Sequence, residues 1–391
     1  MKDDAASALI HHPYQPPAGF AAPQAGVFKA STVLFANVAA MRARDWRSKK
    51  GYTYGLHGTP TTFTLEERIA ALEGGRHCLL VPSGLAAITL VDIALLAPGD
   101  EVLLPDNVYG PSREFARHEL ARWGITHRLY DPLDAVAFAA QLNERTRLVW
   151  LEAAGSVTME FPDLLGLVAA ARHRGVTTAL DNTWGAGLAF NGFALGIDIV
   201  VQALTKFPSG GGDVLMGSVA SRDDALHERL TLTHMHVGLG VAGNDAELVL
   251  RSLPSLPLRY RAQDQTAREL ALWLRTRPEI ARVLHPAVEG SPGHEHWRAL
   301  CTDAAGLFSV LFHERYEQQR VDLFVDSLRL FGIGVSWAGP MSLVVPYNLP
   351  ALRPGGSSRD LRGHLVRFSI GLEEVQALRA DLEQSLAAAF G

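Results

Sequence analysis

The stretch from Val176 to Gly217 limits what this chain can fold into more than any other. It reads VTTALDNTWGAGLAFNGFALGIDIVVQALTKFPSGGGDVLMG and holds two apolar, β-branched runs. Val176–Leu180 ends at Asp181, and Ile197–Leu204 ends at Thr205-Lys206, before the Gly-rich turn Pro208–Gly212. Two such runs separated by a connection predict buried strands. In sheets of this class ligands bind outside the carboxyl ends of the strands. Asp181 and Lys206 each stand where a strand hands over to a loop, so the two can face one site.

The flanking sequence extends the pattern. Thr64–Glu73 (TLEERIAALE) has apolar residues at helical spacing, Leu79–Val81 reads as a strand, and a helix begins at Ser83-Gly84. Strands follow at Glu101–Leu104, Leu148–Leu151, Val176–Leu180 and Ile199–Leu204, with helical stretches between. Strands alternating with helices predict an α/β fold with a mostly parallel sheet covered on both faces. Beyond Gly217, Asp223–Leu232 reads as helix and Ala246–Pro278 as a long helical zone. Strands at Gly306–Phe312, Ser342–Val345 and Leu365–Ile370, and helices at Tyr316–Leu330 and Glu373–Phe390, predict a smaller α+β C-terminal domain. The expected division is an arm over 1–60, a large domain over 61–250 and a small domain over 251–391. The arm is rich in Pro and Gly, and Phe28, Phe35 and Tyr52 favour its wrapping a partner subunit.

Composition sets the outer limits. A chain of 391 residues can bury two cores, and 48% hydrophobic with 20% charged residues is ordinary for a globular protein. A formal charge of −5 gives no reason to expect nucleic acid or an anionic membrane as partner. Two distant cysteines, Cys78 and Cys301, make no disulfide framework or metal clip. The N-terminal stretch has no apolar h-region, and the longest apolar run, Cys78–Pro98, is broken by Pro82, Gly84 and Asp92, so the expectation is a cytoplasmic protein.

A carboxylate and a lysine at adjacent strand ends suit pyridoxal phosphate, whose aldehyde condenses with a lysine amine and whose ring nitrogen needs an acid. By themselves the two residues favour a plainer reading, a surface lysine and a turn-making acid; the neighbours change that. In VPSGLAAITL, Ser83, Gly84 and Leu85 set backbone N–H groups at a helix start, where a phosphate is favoured. Tyr109 follows a strand and can lie over a flat ring or pack on the core. Tyr54, in the arm, fits burial at a turn. Arg367, amid apolar residues in HLVRFSIG, needs an anion, either a substrate carboxylate or a structural partner. Ser336-Trp337 is a candidate pocket wall or core. His234-x-His236 and His294-Glu295-His296 lack metal-ligand spacing and read as surface or domain-packing residues, and no Walker or GxGxxG pattern is present.

YGLHGTPT, SGLAAI, DNVYGPS, EAAGSVTME, DNTWGAG, QALTKF and SWAGP…VRFSIGLE, in that order, resemble the Cys/Met-metabolism family of pyridoxal-phosphate enzymes. The likeness is greatest to its β-eliminating branch, which cleaves the thioether cystathionine. It implies an aminotransferase-like fold (fold type I), pyridoxal phosphate as cofactor, an amino-acid thioether as substrate, and a homotetramer built as a dimer of dimers. Lys206 resembles the lysine bound to the aldehyde and Asp181 the acid at the ring nitrogen. Tyr109 would stack on the ring, with Gly84, Leu85 and Thr205 on the phosphate and Tyr54 arriving from the neighbouring subunit. Lys206, Tyr109 and Tyr54 are the expected catalytic residues. Arg367 and Ser336 would hold the α-carboxylate, and Trp337 stands where many γ-acting relatives have an aliphatic residue. Three positions depart from the family pattern: Leu56 replaces an arginine that reaches the phosphate, Ala203 a serine, and Gly210-Gly211 a Gly-His pair.

Overall fold

The computed structural model describes residues 5–11, 18–22, 24–49, 51–349, 353 and 361–391. Its larger sheet holds β1 (His77–Val81), β2 (Glu101–Pro105), β3 (Thr126–Tyr130), β4 (Thr146–Glu152), β5 (Thr177–Asp181), β6 (Ile199–Ala203) and β7 (Gly217–Ser221). The order is β1-β7-β6-β5-β4-β2-β3, and only β7 runs against its neighbours. The sheet is therefore mostly parallel, as the alternation of strands and helices predicts.

Covering on both faces explains the unbroken apolar runs. Leu80, Leu103, Val149, Leu180 and Val200 enter one core, and Leu79, Val102, Leu148, Ala179 and Val201 the opposite one. That is the two-residue period of a strand, with each buried Leu or Val contributing about 1.5–3 kcal/mol. β3 and β7 were not legible in the sequence. β3 is an edge strand, THRLY, with only Tyr130 buried, and β7 is GSVAS, buried but built from small residues.

The helix expected from Thr64 begins earlier, at Pro60, because Thr59 and Thr62 cap each other reciprocally. It stops at Gly74, whose φ of +74° is the left-handed conformation that favours glycine. The helix read over 223–232 runs from Asp224 to Val237. The long helical zone is two helices, Gly243–Ser252 and Leu256–Leu274, parted by a turn containing Pro254.

The second sheet comprises β8 (Ile280–Leu284), β9 (Leu307–Phe312), β10 (Gly332–Ile333), β11 (Leu343–Tyr347) and β12 (His364–Ser369), in the order β10-β11-β12-β9-β8. Helices 256–274, 318–326 and 375–390 pack on it through Leu270, Leu274, Phe324, Leu382 and Leu386. β8, IARVL, escaped the sequence reading because its two inner positions Ala281 and Arg282 are not buried.

The N-terminal region is less extended than expected. Ala5–Ile10 is helical and Leu9 is buried in the main core, while Val38–Arg42 is a helix with no buried residue. The Pro-rich stretch at 12–17 lies outside the described residues. Among the described residues no helix is long and apolar enough to cross a membrane.

Candidate active site

β5 and β6 are parallel neighbours, so their carboxyl ends deliver Asp181 and, after a tight turn, Lys206 to the same edge. The turn is closed by the Lys206 N–H donating to the Ala203 carbonyl at 3.1 Å. The Lys206 ammonium donates from Nζ to Ser336 Oγ at 2.7 Å and lies 5.3 Å from the centre of the Trp337 ring. Ser336 and Trp337 sit in the loop before β11, so the lysine stands where the two sheets' units meet. Burial, then the charge of Arg367, lowers the Lys206 pKa from 10.5 to about 8, against a smaller opposing pull from Asp181.

Asp181 is raised above the ordinary aspartate range, chiefly by burial, with the hydrogen bonds from Thr183 and the charge of Lys206 working the other way. Its Oδ1 accepts from the Thr183 N–H at 2.9 Å and hydroxyl at 2.5 Å. The same hydroxyl accepts from the Ala203 N–H at 2.9 Å, tying the ends of β5 and β6 together. Oδ2 has no hydrogen bond among the described residues, so a buried carboxylate oxygen is open to a cationic N–H.

Tyr109 follows β2, and its N–H donates to Glu152 Oε2 at 2.7 Å. Glu152 closes β4 and is raised well above the ordinary glutamate range by burial and then by Asp181. The Tyr109 ring is 41% exposed, over the edge where Asp181 lies rather than in either core. Its hydroxyl is raised by burial, then by Asp181, Glu152 and Tyr347.

At the start of helix 84–95 the Ser83 hydroxyl accepts from the Ala86 N–H at 3.0 Å. The Gly84 and Leu85 N–H groups have no acceptor among the described residues, which leaves two donors at the positive end of a helix. Gly84 lies against Ala203: a Cβ there would meet the Ala203 Cβ at 2.6 Å. Thr205 reaches this corner too, but its hydroxyl accepts from the Met216 N–H at 3.0 Å and lies 3.2 Å from the Met216 carbonyl. The hydroxyl proton is thus directed at Met216 and not outward.

Arg367 on β12 is 6% exposed, and no carboxylate pairs with it among the described residues. Among the described residues its hydrogen bonds are long ones, from NH2 to the carbonyls of Ser336 at 3.4 Å and Val335 at 3.5 Å. Burial lowers its pKa. A buried guanidinium so weakly satisfied is a seat for an anion.

One expected residue stays apart. Tyr54 is 47% exposed on the arm, bridged to Thr32 and edge-on to His57, and no contact among the described residues joins it to the Lys206 group. Leu56 packs toward Gly240, and His234 is buried with Nε2 2.9 Å from the Leu80 carbonyl.

The sequence reading missed Thr183, Glu152, Tyr347 and Glu73. Thr183 was within reach, as the third residue of DNT; the others depend on pairings of distant segments. Glu73 is 1% exposed and accepts from Asn182 Nδ2 at 2.9 Å and from Gln202 Nε2. Burial lifts its pKa from 4.5 to about 7. A carboxyl whose folded pKa is raised contributes stability that is full below about 4.5 and is lost as pH rises through about 7. Glu73→Gln removes that dependence, so relative to the parent its stability, followed as Tm, should improve between pH 5 and pH 8, by on the order of 3 kcal/mol at full effect. A Tm difference independent of pH would mean that Glu73 titrates normally.

The residues present fit pyridoxal phosphate: an amine for the aldehyde, an open buried carboxylate oxygen for the ring nitrogen, a tyrosine ring beside it, and free N–H groups for the phosphate. The lowered pKa gives a direct test. The rate at which cofactor-free protein takes up the aldehyde should rise with pH to a midpoint near 8; a midpoint near 10.5 would mean that Lys206 is not activated.

Known proteins resemble this chain along most of its length. The model of the family described as Cys/Met metabolism PLP-dependent enzyme matches residues 6–387. A putative cystathionine beta-lyase of Rhizobium johnstonii is 40% identical over 93% of this chain and 91% of its own length. Cystathionine beta-lyase MetC of Escherichia coli is 35% identical over 92% of each. The crystal structure of metB from Corynebacterium glutamicum superposes with a TM-score of 0.90 at 27% identity, covering 99% of this chain and 98% of that one.

Proposed function

Because this chain belongs to the family of Cys/Met-metabolism PLP-dependent enzymes, we propose that it is a carbon–sulfur lyase cleaving L-cystathionine by β-elimination to homocysteine, pyruvate and ammonia. The observation that carries this reading is the meeting of Lys206 with Ser336, Trp337 and Arg367. An amine that can move a proton there faces a cation that can hold a carboxylate.

When bound, pyridoxal phosphate supplies an aldehyde for the substrate amine and a ring that withdraws electrons from Cα. Asp181 keeps a proton on the ring nitrogen by offering its open oxygen to it. Arg367 holds the α-carboxylate, with Ser336 beside it, and so fixes which substrate bond faces Lys206. Nζ of Lys206, its pKa brought down to about 8, has a usable neutral fraction near neutral pH and takes the Cα proton. The Ser336 hydroxyl aims that amine. Trp337, packed edge-on to Phe207 at 5.6 Å, makes a rigid wall on the leaving-group side and keeps water out. Tyr109 would stack on the ring, and Tyr54 would enter from a partner subunit. Gly84 and Leu85 take the phosphate through backbone N–H groups; Leu56 and Ala203 offer no donor of their own, so the grip rests on the main chain, with Thr205 contributing once its hydroxyl turns from Met216.

In this reading residues 1–60 are the arm that reaches the partner, 61–250 the cofactor-binding domain and 251–391 the small domain. The protein is a cytoplasmic homotetramer, a dimer of dimers, serving methionine biosynthesis. A broader cysteine-conjugate or cystine lyase, or a γ-acting sister enzyme, uses the same residues with a different leaving group. Assay of the keto acid formed from L-cystathionine by yellow, cofactor-loaded protein separates them. Pyruvate is expected; 2-oxobutyrate would assign γ-chemistry, and faster turnover of L-cystine than of cystathionine would assign the broader lyase.

A further inference from the structure

Tyr347 closes β11 and pairs with Leu365, while Arg367, two residues on, pairs with Val345. Tyr347 and Arg367 are therefore diagonal neighbours on one face of the small sheet, a separation that long and aromatic side chains bridge. The Arg367 guanidinium carbon lies 5.3 Å from the centre of the Tyr347 ring, within cation–π distance. The ring is half-buried and packs against the apolar cluster where Val157 and Met159 of the large domain meet Leu307, Leu311 and Leu365 of the small one. The charge of Tyr347 also contributes, after burial, Asp181 and Glu152, to raising the Tyr109 hydroxyl's pKa. Tyr347 thus borders the space between the ring-stacking tyrosine and the buried arginine.

Arg367 needs such a neighbour. Its two carbonyl contacts are long and both use one nitrogen, so hydrogen bonding alone leaves the plane of the guanidinium poorly fixed. A two-pronged grip on a carboxylate depends on that plane. We propose that Tyr347 is the positioning residue of the carboxylate clamp: its ring covers Arg367, sets the guanidinium plane, and gives the site its preference for α-amino acids over the corresponding amines. The inference rests on the reading of Arg367 as the carboxylate-binding group. It predicts that the aromatic ring matters and that the hydroxyl does not.

The test uses the cofactor-loaded enzyme and two unreactive probes, glycine and methylamine, which differ by the carboxylate. Their affinities are read from the change in visible absorbance, without turnover. In the parent enzyme glycine should bind far more tightly than methylamine. Tyr347→Leu should cut that preference roughly tenfold through weaker glycine binding, with methylamine affinity unchanged, and Tyr347→Phe should keep it. Tyr347→Met serves if the leucine variant loses its cofactor, which the yellow colour per subunit reports. Arg367→Ala is the control for the underlying assignment: a preference that survives it overturns the carboxylate reading itself. Where Arg367→Ala abolishes the preference but Tyr347→Leu leaves it intact, only the positioning role fails. Equal loss in Tyr347→Phe and Tyr347→Leu overturns it too, since the hydroxyl rather than the ring would then be responsible.

Discussion

Lys206→Ala is expected to lower turnover by at least about four orders of magnitude and to leave no yellow chromophore that borohydride can fix to the protein. The reason is that one amine has two tasks in the proposed reaction. It anchors the aldehyde, and once displaced by substrate it is the group placed to carry the Cα proton. No other lysine can replace it: the chain has only five, Lys2, Lys29, Lys49, Lys50 and Lys206, and four lie in the first 50 residues. Lys49 is engaged elsewhere, its Nζ bonded to Glu66 at 2.5 Å and to the Cys78 carbonyl at 2.8 Å. The scarcity also makes the assignment easy to read. A protease that cuts after lysine should release residues 51–206 and 207–391 from untreated protein, and a joined 51–391 fragment after reduction of the loaded enzyme. Retention of both colour and turnover in the alanine variant would remove the basis of the proposed reaction.

The second large effect is expected at Arg367. Its replacement by alanine should reduce kcat/KM for cystathionine by about 2–5 kcal/mol, roughly 30-fold to several-thousand-fold, because a buried two-pronged contact to the carboxylate disappears. The fold should survive, since Arg367 is paired with no carboxylate among the described residues and its removal strands no buried anion. Cofactor loading, read from visible absorbance, should also persist, because the phosphate and ring contacts lie on the larger sheet. An unchanged kcat/KM would show that the arginine serves the small sheet and not the substrate.

The sequence showed the larger sheet well because that sheet is buried on both faces. Strands such as Leu148–Leu151 carry their signal in every residue, and the loops after them carry the chemistry. Asp181, Lys206 and Tyr109 were legible for that reason: each follows such a run. Arg367 was legible by contrast, a charge where its strand is otherwise apolar. β3 and β8 failed because several of their residues are not buried, and β7 because its buried residues are small. The partners failed for another reason. Thr183 acts on Asp181 and Ala203 together, Glu152 supports Tyr109 from 43 residues away, and Tyr347 meets Arg367 across a ladder. Such roles are created by register, and no local pattern announces them. The family motifs supplied what spacing could not, above all the joining of Ser336 and Trp337 to Lys206.

Thr183 links the two ends of the site through a single oxygen, bonded on one side to Asp181 and on the other to the strand that leads to Lys206. The span between acid and amine is accordingly a dimension of the protein scaffold, set before any small molecule arrives. Cofactor loading then resembles a key entering a lock already cut, its rate scaled by the fraction of the amine that has lost its proton. Thr183 is the place to look for variants that hold the cofactor slightly out of true.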